Sequence, residues 1–559
     1  MRWRVAWFPL LAILGPSAGL LIAARPTPVI LISIDTLRAD HLSSYGYRRI
    51  RTPHIDSFDG HGTLFSNIES QVPLTLPSHT SLFTSTYPFE NEIEENAERV
   101  PAGSVTLASL LRSHGYKTAA FIGSVFLESE MGLDQGFDLY DSPFHFAAFS
   151  PISGSMFFGG EGRNQYAVRD RRDGALVLAA ARRWLAANRG ANVFVFAHLF
   201  DLHKPYRRGG YDAELEYTDR ILGEFRQALI QSGWWQRSLV VLLSDHGEGL
   251  GEHGEDSHGY FIYQSTLRVP LMIHWPDGAA VRPARDDRPG GLIDVAPTVL
   301  DFLHIAAPPS FEGHSLLDAG SRGSVYSETL YAHDGFGWAP LRSLREGKYK
   351  FIDAPHPELY NLDMDPHELT NLYAKDQVRA RALRAKLRNL LANHAPKQPA
   401  SPANISPRTR ALLASLGYLS GSPRGSRAGG SIPDPKDRLP EYRLYEHGQM
   451  LLYDRQLQQA AAVFRQIVAR DPRNTLARRD LGGTYVELHL YAKARACFER
   501  VVNDAPDDYM AQFELGVADE HLGLTHDALE HLQAACKAAP EAEQCRRELD
   551  AVRKESPLR

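Results

Sequence analysis

From Pro28 to about Leu317, short apolar runs alternate with amphipathic stretches. The runs Val29–Ile34, Thr118–Ile122, Val193–Leu199, Leu239–Leu243 and Val269–His274 predict strands. Val105–His114, Gly174–Ala187 and Asp219–Gln231 predict helices between them. Alternation of this kind predicts an α/β unit, a mostly parallel sheet covered by helices. After about Gly320 the pattern changes. Val325–Glu328, Leu341–Arg345 and Tyr349–Ile352 read as short strands, with Gly347 in the turn between the last two, as in an antiparallel unit. A helical stretch, Gln377–Asn393, follows, and the segment from Ser420 to Pro435 is rich in Gly, Ser, Pro and Arg, as a linker would be.

The rest of the chain repeats itself with period 34. Gly448, Gly482 and Gly516 form one position class, Ala460, Ala494 and Ala528 a second. Phe464, Phe498 and Leu532 form a third, and Pro472, Pro506 and Pro540 a fourth. Period and residue types resemble tetratricopeptide repeats, all-α units of paired helices. Small residues let the paired helices approach, each Pro closes its copy, and three copies suffice for a stable stack. Glu541–Arg553 is expected to be a partial capping helix.

At 559 residues, 43% apolar and 23% charged, the chain is globular and longer than one ordinary domain. The net charge of −6 and the scattered basic residues exclude a nucleic-acid-binding class. Arg2 and Arg4 precede an uncharged stretch, Val5 to Ala24, of membrane-spanning length. Either a cleaved secretory signal or an uncleaved anchor would have this form, so export to the periplasm or another extracytoplasmic space is expected, free or anchored to the membrane. Cys497, Cys536 and Cys545 form neither a disulfide framework nor a zinc motif, although a Cys536–Cys545 bridge is compatible with an oxidising compartment.

The candidate chemistry lies where predicted strands end. Asp35 closes the first run, Asp245 and His246 follow the run Leu239–Leu243, and Thr75 opens Thr75-Leu76-Pro77-Ser78-His79. Ligands of open parallel sheets bind beyond the carboxyl ends of the strands. Two carboxylates, an imidazole and a hydroxyl there suit a divalent metal with a nucleophile beside it. Pro77 is expected at the first position of a short helix, Ser78–Thr84, whose N-terminus would face an anion. His198, Asp201 and His203 cluster after another strand, and His253 and His258 cluster after Asp245. These residues could hold substrate oxygens, protonate a leaving group or bind a second metal.

The segments Ile34-Asp35-Thr36-Leu37-Arg38-Ala39-Asp40, Thr75–Ser85 with Tyr87-Pro88, Gly136-Phe137-Asp138, Ser244–Gly247 and Arg268-Val269-Pro270-Leu271 resemble the sulfatase-like branch of the alkaline phosphatase superfamily. Glu358-Leu359-Tyr360-Asn361-Leu362-Asp363-Met364-Asp365-Pro366, through Asn371-Leu372, completes the resemblance. It implies a large α/β domain followed by a small antiparallel subdomain. Family sulfatases place Cys or Ser, convertible to formylglycine, before x-Pro-x-Arg. Here those positions are Thr75 and His79, Thr36 replaces the second acid of an Asp-Asp pair, and Gly123-Ser124-Val125-Phe126 replaces a Gly-Lys-Trp-His segment. Threonine cannot give the aldehyde. The variant set is similar to that of phosphoethanolamine transferases, lipoteichoic acid synthases and nucleotide pyrophosphatase/phosphodiesterases. That similarity implies Asp35, Thr75, Asp245 and His246 as ligands of Zn²⁺ or Mn²⁺, with Ca²⁺ or Mg²⁺ as alternatives, in a site of one or two ions.

The expected organisation is a leader or anchor over 1–26, a sulfatase-like domain over 27–320, its subdomain and helix over 321–419, a linker over 420–437 and repeats over 438–559. The expected function is an exported metal-dependent hydrolase or transferase of phosphate esters. Thr75 would be nucleophile, and His203 and His258 would act on the anionic ester. His198, Asp201, His203, His253, His258 and His79 are the candidates for a second metal or for substrate. A sulfatase working without formylglycine is one alternative, and a scaffold with a vestigial catalytic domain is another. The repeats are expected to bind a protein or peptide, and their removal to leave turnover of small substrates intact.

Overall fold

A computed structural model describes residues 27–144, 171–394, 432–538 and 543–555, apart from 59, 61, 97, 281, 319, 321, 322 and 507. The expected leader over 1–26, most of the linker and Pro540 lie outside the described residues. No helix among the described residues is long and apolar enough to cross a membrane.

The apolar runs form the strands β1 (Val29–Ile34), β3 (Lys117–Phe121), β5 (Val193–Leu199), β6 (Leu239–Leu243) and β7 (Arg268–His274). The sheet also contains β2 (Gly62–Glu69), β4 (Leu139–Asp141) and the short β8 (Arg285–Asp286) and β9 (Gly290–Gly291). Its order is β4-β3-β5-β1-β6-β7-β2-β8, with β9 also on β2. Pairing is parallel except at β7, which runs antiparallel to both β6 and β2. The pattern missed β2 because Thr63, Ser66 and Asn67 interrupt its apolar alternation; these polar side chains are satisfied by Pro283, Asp287 and Asp286 on the neighbouring segment.

Alternate residues of β1 feed two cores. Val29 and Leu31 pack on one face of the sheet, Ile30, Ile32 and Ile34 on the other. The first face is covered by α1 (Thr75–Thr84), α2 (Leu107–Ser113) and α5 (Val295–Phe302), the second by α3 (Gly174–Ala187) and α4 (Tyr211–Gln231). A second sheet, with the short α6 (Tyr331–Phe336) between its first two strands, is wholly antiparallel. It orders β10 (Val325–Thr329), β11 (Leu341–Glu346), β12 (Tyr349–Asp353) and β13 (Glu358–Asn361) consecutively. α7 (Gln377–Asn393) packs Ala380, Leu383 and Leu387 against it.

The tail is helical throughout: α8 (Leu439–Tyr453), α9 (Leu457–Arg470), α10 (Thr475–Glu487), α11 (Tyr491–Asp504), α12 (Tyr509–His521), α13 (Thr525–Ala538) and α14 (Glu543–Glu555). The position classes of the repeat have a direct steric reading. A Cβ on Gly448, Gly482 or Gly516 would come within 2.7 Å of Phe464, Phe498 or Leu532 respectively. Each glycine therefore lets one helix of a pair touch the large residue of the other. Cys536 and Cys545 form a disulfide, and Cys497 is free and buried.

The tail does not hang free. Residues before α8 expected to belong to a linker form a packed turn, Pro435–Arg438, and Asp434 accepts hydrogen bonds from the backbone N–H groups of Lys436 and His356. Tyr442 and Tyr445 of α8 share one core with Tyr260, Phe336 and Trp338 of the preceding domain. The repeats and the α/β unit are thus joined by a dry apolar interface.

Replacing Gly482 by Ala should destabilise the tail by about 1–3 kcal/mol, because Phe498 is buried and has no room to swing away. Denaturant unfolding monitored on the full chain checks this; an unchanged midpoint would refute the steric reading.

Candidate active site

Strand register assembles the centre. β1 pairs with β6 so that Ser33 faces Leu243, and Asp35 and Asp245 each lie two residues further on. β5 flanks β1 on the other side with His198 opposite Ser33, and the backbone N–H of Asp35 donates to Leu199 O at 2.9 Å. Two acids therefore leave adjacent parallel strands at one level, with an imidazole beside them. Thr36 turns the chain away in the left-handed region, at φ 57°, which is strained for a β-branched residue by about 1–3 kcal/mol. This turn aims the Thr36 N–H at Asp245 Oδ1 (3.3 Å), while the Tyr211 hydroxyl donates to Thr36 O (2.8 Å).

Helix α1 begins at Thr75, earlier than expected: Ser78 N–H already bonds Leu74 O at 3.1 Å. Pro77 is therefore its third residue, within the first turn, where no intrahelical N–H is needed. Asn96 Oδ1 accepts the Leu76 N–H at 2.8 Å and fixes this end. The Thr75 hydroxyl donates to Asp35 Oδ2 at 3.2 Å, fully buried.

The histidines divide by what their ring nitrogens already do. His246 Nδ1 donates to Gly247 O at 2.9 Å, which leaves the Nε2 lone pair facing Asp245 Oδ2 at 3.5 Å. His198 Nε2 lies 3.4 Å from Asp35 Oδ2. His79 is committed on both sides: Nδ1 donates to Thr75 O at 2.7 Å and Nε2 accepts from the Ser33 hydroxyl at 2.9 Å. His258 Nδ1 bonds Glu248 Oε1 at 2.9 Å, and its ring lies 4.5 Å from that of His246 and 5.0 Å from that of His203. His203 Nδ1 donates to Lys204 O at 2.5 Å.

Burial sets the protonation states. It raises the Asp35 carboxyl to about 7 against the opposing pull of His246 and Thr75, and raises Asp245, with the Asp35 charge adding to the effect. It lowers His79, His198 and His258 to about 4, and His203 well below the ordinary range. Glu248 is raised by burial to about 7. Two acids and several neutral imidazoles thus share a buried site.

These donors fit a divalent cation. Asp35 Oδ1, Asp245 Oδ2, His246 Nε2 and both His198 nitrogens are buried without a hydrogen-bond partner. Asp35, Asp245 and His246 offer ligand atoms within 4.8 Å of one another, with Thr75 on Asp35. His79, His198 and Asp245 form a second triad of that size. A second ion there would require His79 to give up one of its bonds, to Thr75 O or to Ser33, so the geometry favours one ion on the first set.

Two expected residues do not join the centre. Asp201 turns its carboxylate to the start of α3, accepting the Gly174 N–H at 3.0 Å. A Cβ on Gly174 would strike that carboxylate at 2.3 Å, so the acid is a packed helix cap. His253 stacks on Tyr263 at 3.6 Å and its Nε2 donates to His367 O at 2.9 Å, towards the small subdomain. Sequence reasoning passed over Ser33, Glu248 and Arg171. Glu248 could have been found as an acid two residues beyond His246. Arg171 could not: its guanidinium gathers the carbonyls of His203, Lys204 and Pro205 at 2.9–3.2 Å and fixes their loop from a distant segment.

The sulfatase family model matches residues 27–305, and the N-sulphoglucosamine sulphohydrolase C-terminal model matches residues 251–397. The chain belongs to the sulfatase family. A tetratricopeptide repeat model matches residues 451–514 of this sulfatase-family chain. It is 31% identical to arylsulfatase K of Mus musculus over 200 residues, covering 33% of this chain and 35% of that protein. It is 35% identical to the choline-sulfatase of Rhizobium meliloti (strain 1021) over 172 residues, covering 30% of this chain and 33% of that one. The chain thus spans about a third of these relatives' length. Its fold also matches the phosphonate monoester hydrolase of Agrobacterium radiobacter, with TM-score 0.53 at 21% identity, covering 66% of this chain and 96% of that one.

In the metal-stripped protein, stability should fall as pH rises from 3.8 towards about 7. Over that window the folded chain keeps the Asp35 proton that the unfolded chain has lost. Melting curves in chelator at about pH 5 and about pH 8 check the sign. Added Zn²⁺ or Mn²⁺ should raise Tm at the higher pH and barely at the lower, and Asp35→Asn should remove both effects. Melting that ignores metal at both pH values would overturn the cation site.

Proposed function

We propose that the protein is an exported, metal-dependent hydrolase of phosphate esters with Thr75 as its nucleophile. The observation that carries this reading is the Thr75 hydroxyl, buried at the start of α1, 3.2 Å from Asp35 and beside the orphaned donors of Asp245 and His246. Thr75 stands where family sulfatases carry a convertible Cys or Ser, so the nucleophile has to be the side-chain hydroxyl itself.

Asp35, Thr75, Asp245 and His246 would hold the ion, which when bound supplies Lewis-acid stabilisation and an acidified hydroxyl. Thr75 Oγ1 attacks phosphorus in line and the leaving alcohol departs opposite, giving a phosphothreonine ester. Water, or an acceptor alcohol in a transferase, then attacks phosphorus and releases Thr75. Asp35, the nearest base to the hydroxyl, is placed to receive its proton. His203 and His258 are neutral at rest, so they would first accept or orient. An arriving anionic ester raises their proton affinity and suits them to protonate the leaving oxygen. Glu248 holds the His258 tautomer by accepting from Nδ1.

Sulfate ester hydrolysis is the second reading, supported by the sulfatase names of the relatives at 31% and 35% identity. A vestigial domain is disfavoured because all four proposed ligands are retained and three of them carry unpartnered donor atoms. Export is supported by Arg2 and Arg4 before the uncharged Val5 to Ala24, and by the Cys536–Cys545 disulfide, which suits an oxidising compartment. For the outer repeats we propose a protein or peptide partner.

Matched aryl phosphate monoesters, phosphodiesters and sulfates, supplied with Mn²⁺ or Zn²⁺, should show a phosphoester preference. Thr75→Ala should lower kcat at least about a thousandfold, whereas Thr75→Ser should retain part of it. A sulfate preference would install the second reading, and Thr75→Ala activity near wild type would remove Thr75 as nucleophile. Single-turnover labelling should trap phosphate on Thr75 at acid pH; no label at any pH would refute the covalent step.

A further inference from the structure

His258 sits on a loop, Gly247 to Tyr263, that the α/β unit, the small subdomain and the tail hold together. Internally the loop has a few backbone ties, such as Gly249 N–H to Ser257 O at 2.6 Å and Gly251 N–H to Glu255 O at 3.0 Å. The Glu255 carboxylate adds the N–H groups of Tyr260 and Phe261, at 2.8 and 3.2 Å. The α/β unit ties the loop through Arg38, which donates to Glu248 O at 3.1 Å and pairs with Glu252 at 2.8 Å. The small subdomain ties it through Thr329 Oγ1, which donates to Gly259 O, and Lys350 Nζ, which donates to Ile262 O at 2.5 Å. The tail adds contacts on either side of His258. The Tyr260 ring, two residues from His258, lies flat on Tyr442 of α8, with centroids 3.9 Å apart and planes 10° apart. The Tyr260 hydroxyl donates to Pro435 O at 2.6 Å, at the turn that leads into α8. Arg443 Nε donates to Gly254 O at 2.8 Å. At Gly254, with φ +85°, a Cβ would meet Leu439 at 2.4 Å and Arg443 at 3.1 Å, so the loop approaches α8 closely because that residue is glycine.

Together these contacts bracket His258 between two points of attachment to one helix. Tyr260 is fully buried, with Tyr442 of α8 over one face of its ring and Phe261 and Trp338 at its edges. On the next turn of α8, Glu446 accepts a hydrogen bond from the Tyr442 hydroxyl at 3.0 Å. Its burial raises its carboxyl, opposed by the charge of Lys204 and reinforced by those of Asp256 and Glu248. The tail's own acid therefore borders the same space as the residues flanking His203 and supporting His258.

We propose that α8 of the first repeat is a positioning element of the active site, holding His258 and its partner Glu248 in register with His246 through the Tyr260–Tyr442 stack and the Arg443–Gly254 bond. The tail is then part of the catalytic machinery as well as a surface for partners, and activity depends on its docking. This rests on the reading of His258 as a site residue, whereas the docking itself does not.

The test uses full-length Tyr442→Ala, Tyr442→Phe and, as a control for general loosening of the repeats, Leu532→Ala in the outer core. Two readouts are taken: kcat and KM on whichever aryl ester the wild type hydrolyses, and amide hydrogen exchange over residues 247–263. Tyr442→Ala should lower kcat about 10- to 100-fold, the scale of a misplaced catalytic group, with a small change in KM. It should also speed exchange of the loop. Tyr442→Phe, which keeps the stack, should restore both, and Leu532→Ala should change neither. Unchanged loop exchange in Tyr442→Ala would overturn the positioning role whatever the substrate. Faster exchange with wild-type kcat would show that the loop is held but that its position does not matter, which also overturns the proposal. Equal loss of kcat in Leu532→Ala would reduce the effect to stability. A wild type inactive on every ester would instead sink the functional reading, and the exchange measurement would still decide the docking.

Discussion

Two buried carboxylates that end neighbouring parallel strands at one level are the constraint on which the rest of this structure turns. Ionising both Asp35 and Asp245 without a cation is unfavourable, because burial raises the proton affinity of each and the Asp35 charge raises that of Asp245 further. Everything around them answers that need. The left-handed Thr36 spends backbone strain to bring one N–H to Asp245, and the His246 N–H supplies another at 2.9 Å. His246 is fixed as the tautomer with its free lone pair inward. Thr75 is delivered to the same point by a helix that starts there. A pocket made of acids and neutral imidazoles is arranged as a cation would require.

Asp35, Asp245 and His246 were legible in the chain because each follows a run too apolar to be anything but a buried strand, and an acid at such a point has few structural reasons to exist. The register that aligns Asp35 with Asp245 was not legible, since it is decided by pairing across the sheet. Asp201 and His253 looked equivalent to His198 and His258 in sequence. Spacing cannot say which way a loop side chain turns, and a competing use won in each case: a helix start for Asp201, an aromatic face and a carbonyl for His253. β2 escaped for the converse reason. Its polar residues read as solvent-facing, whereas neighbouring segments satisfy them inside.

The repeats were legible as repeats because sterics impose the period: each glycine faces a ring or a leucine that leaves no room for a Cβ. Their docking was not. Tyr260 and Tyr442 carry no pattern that joins them, and the Gly- and Ser-rich composition before α8 suggests independence. The structure replaces that expectation with an interface in which Tyr260, Phe336, Trp338, Tyr442 and Tyr445 share one core. Removing the tail would strip this core and expose it to water, so the expectation that small substrates would not notice its loss no longer has a physical basis.

The substitution at His79 shows what chemistry the site has surrendered and what must replace it. The family's arginine would place a permanent cation one helical turn from the nucleophile, beside Asp245. His79 is buried, neutral, and lowered to about 4, and both of its nitrogens are engaged with Ser33 and Thr75 O. The missing Gly-Lys-Trp-His segment removes a second cation in the same way. Lys204 remains as the cation whose charge reaches Glu248, His258 and the tail's Glu446. On the proposed reading, an anionic ester would be held chiefly by the ion on Asp35, Asp245 and His246 and by imidazoles that gain protons as the anion arrives, with Lys204 nearby. Catalytic power in this chain should therefore follow metal occupancy and pH more steeply than in a relative that keeps its arginine and lysine.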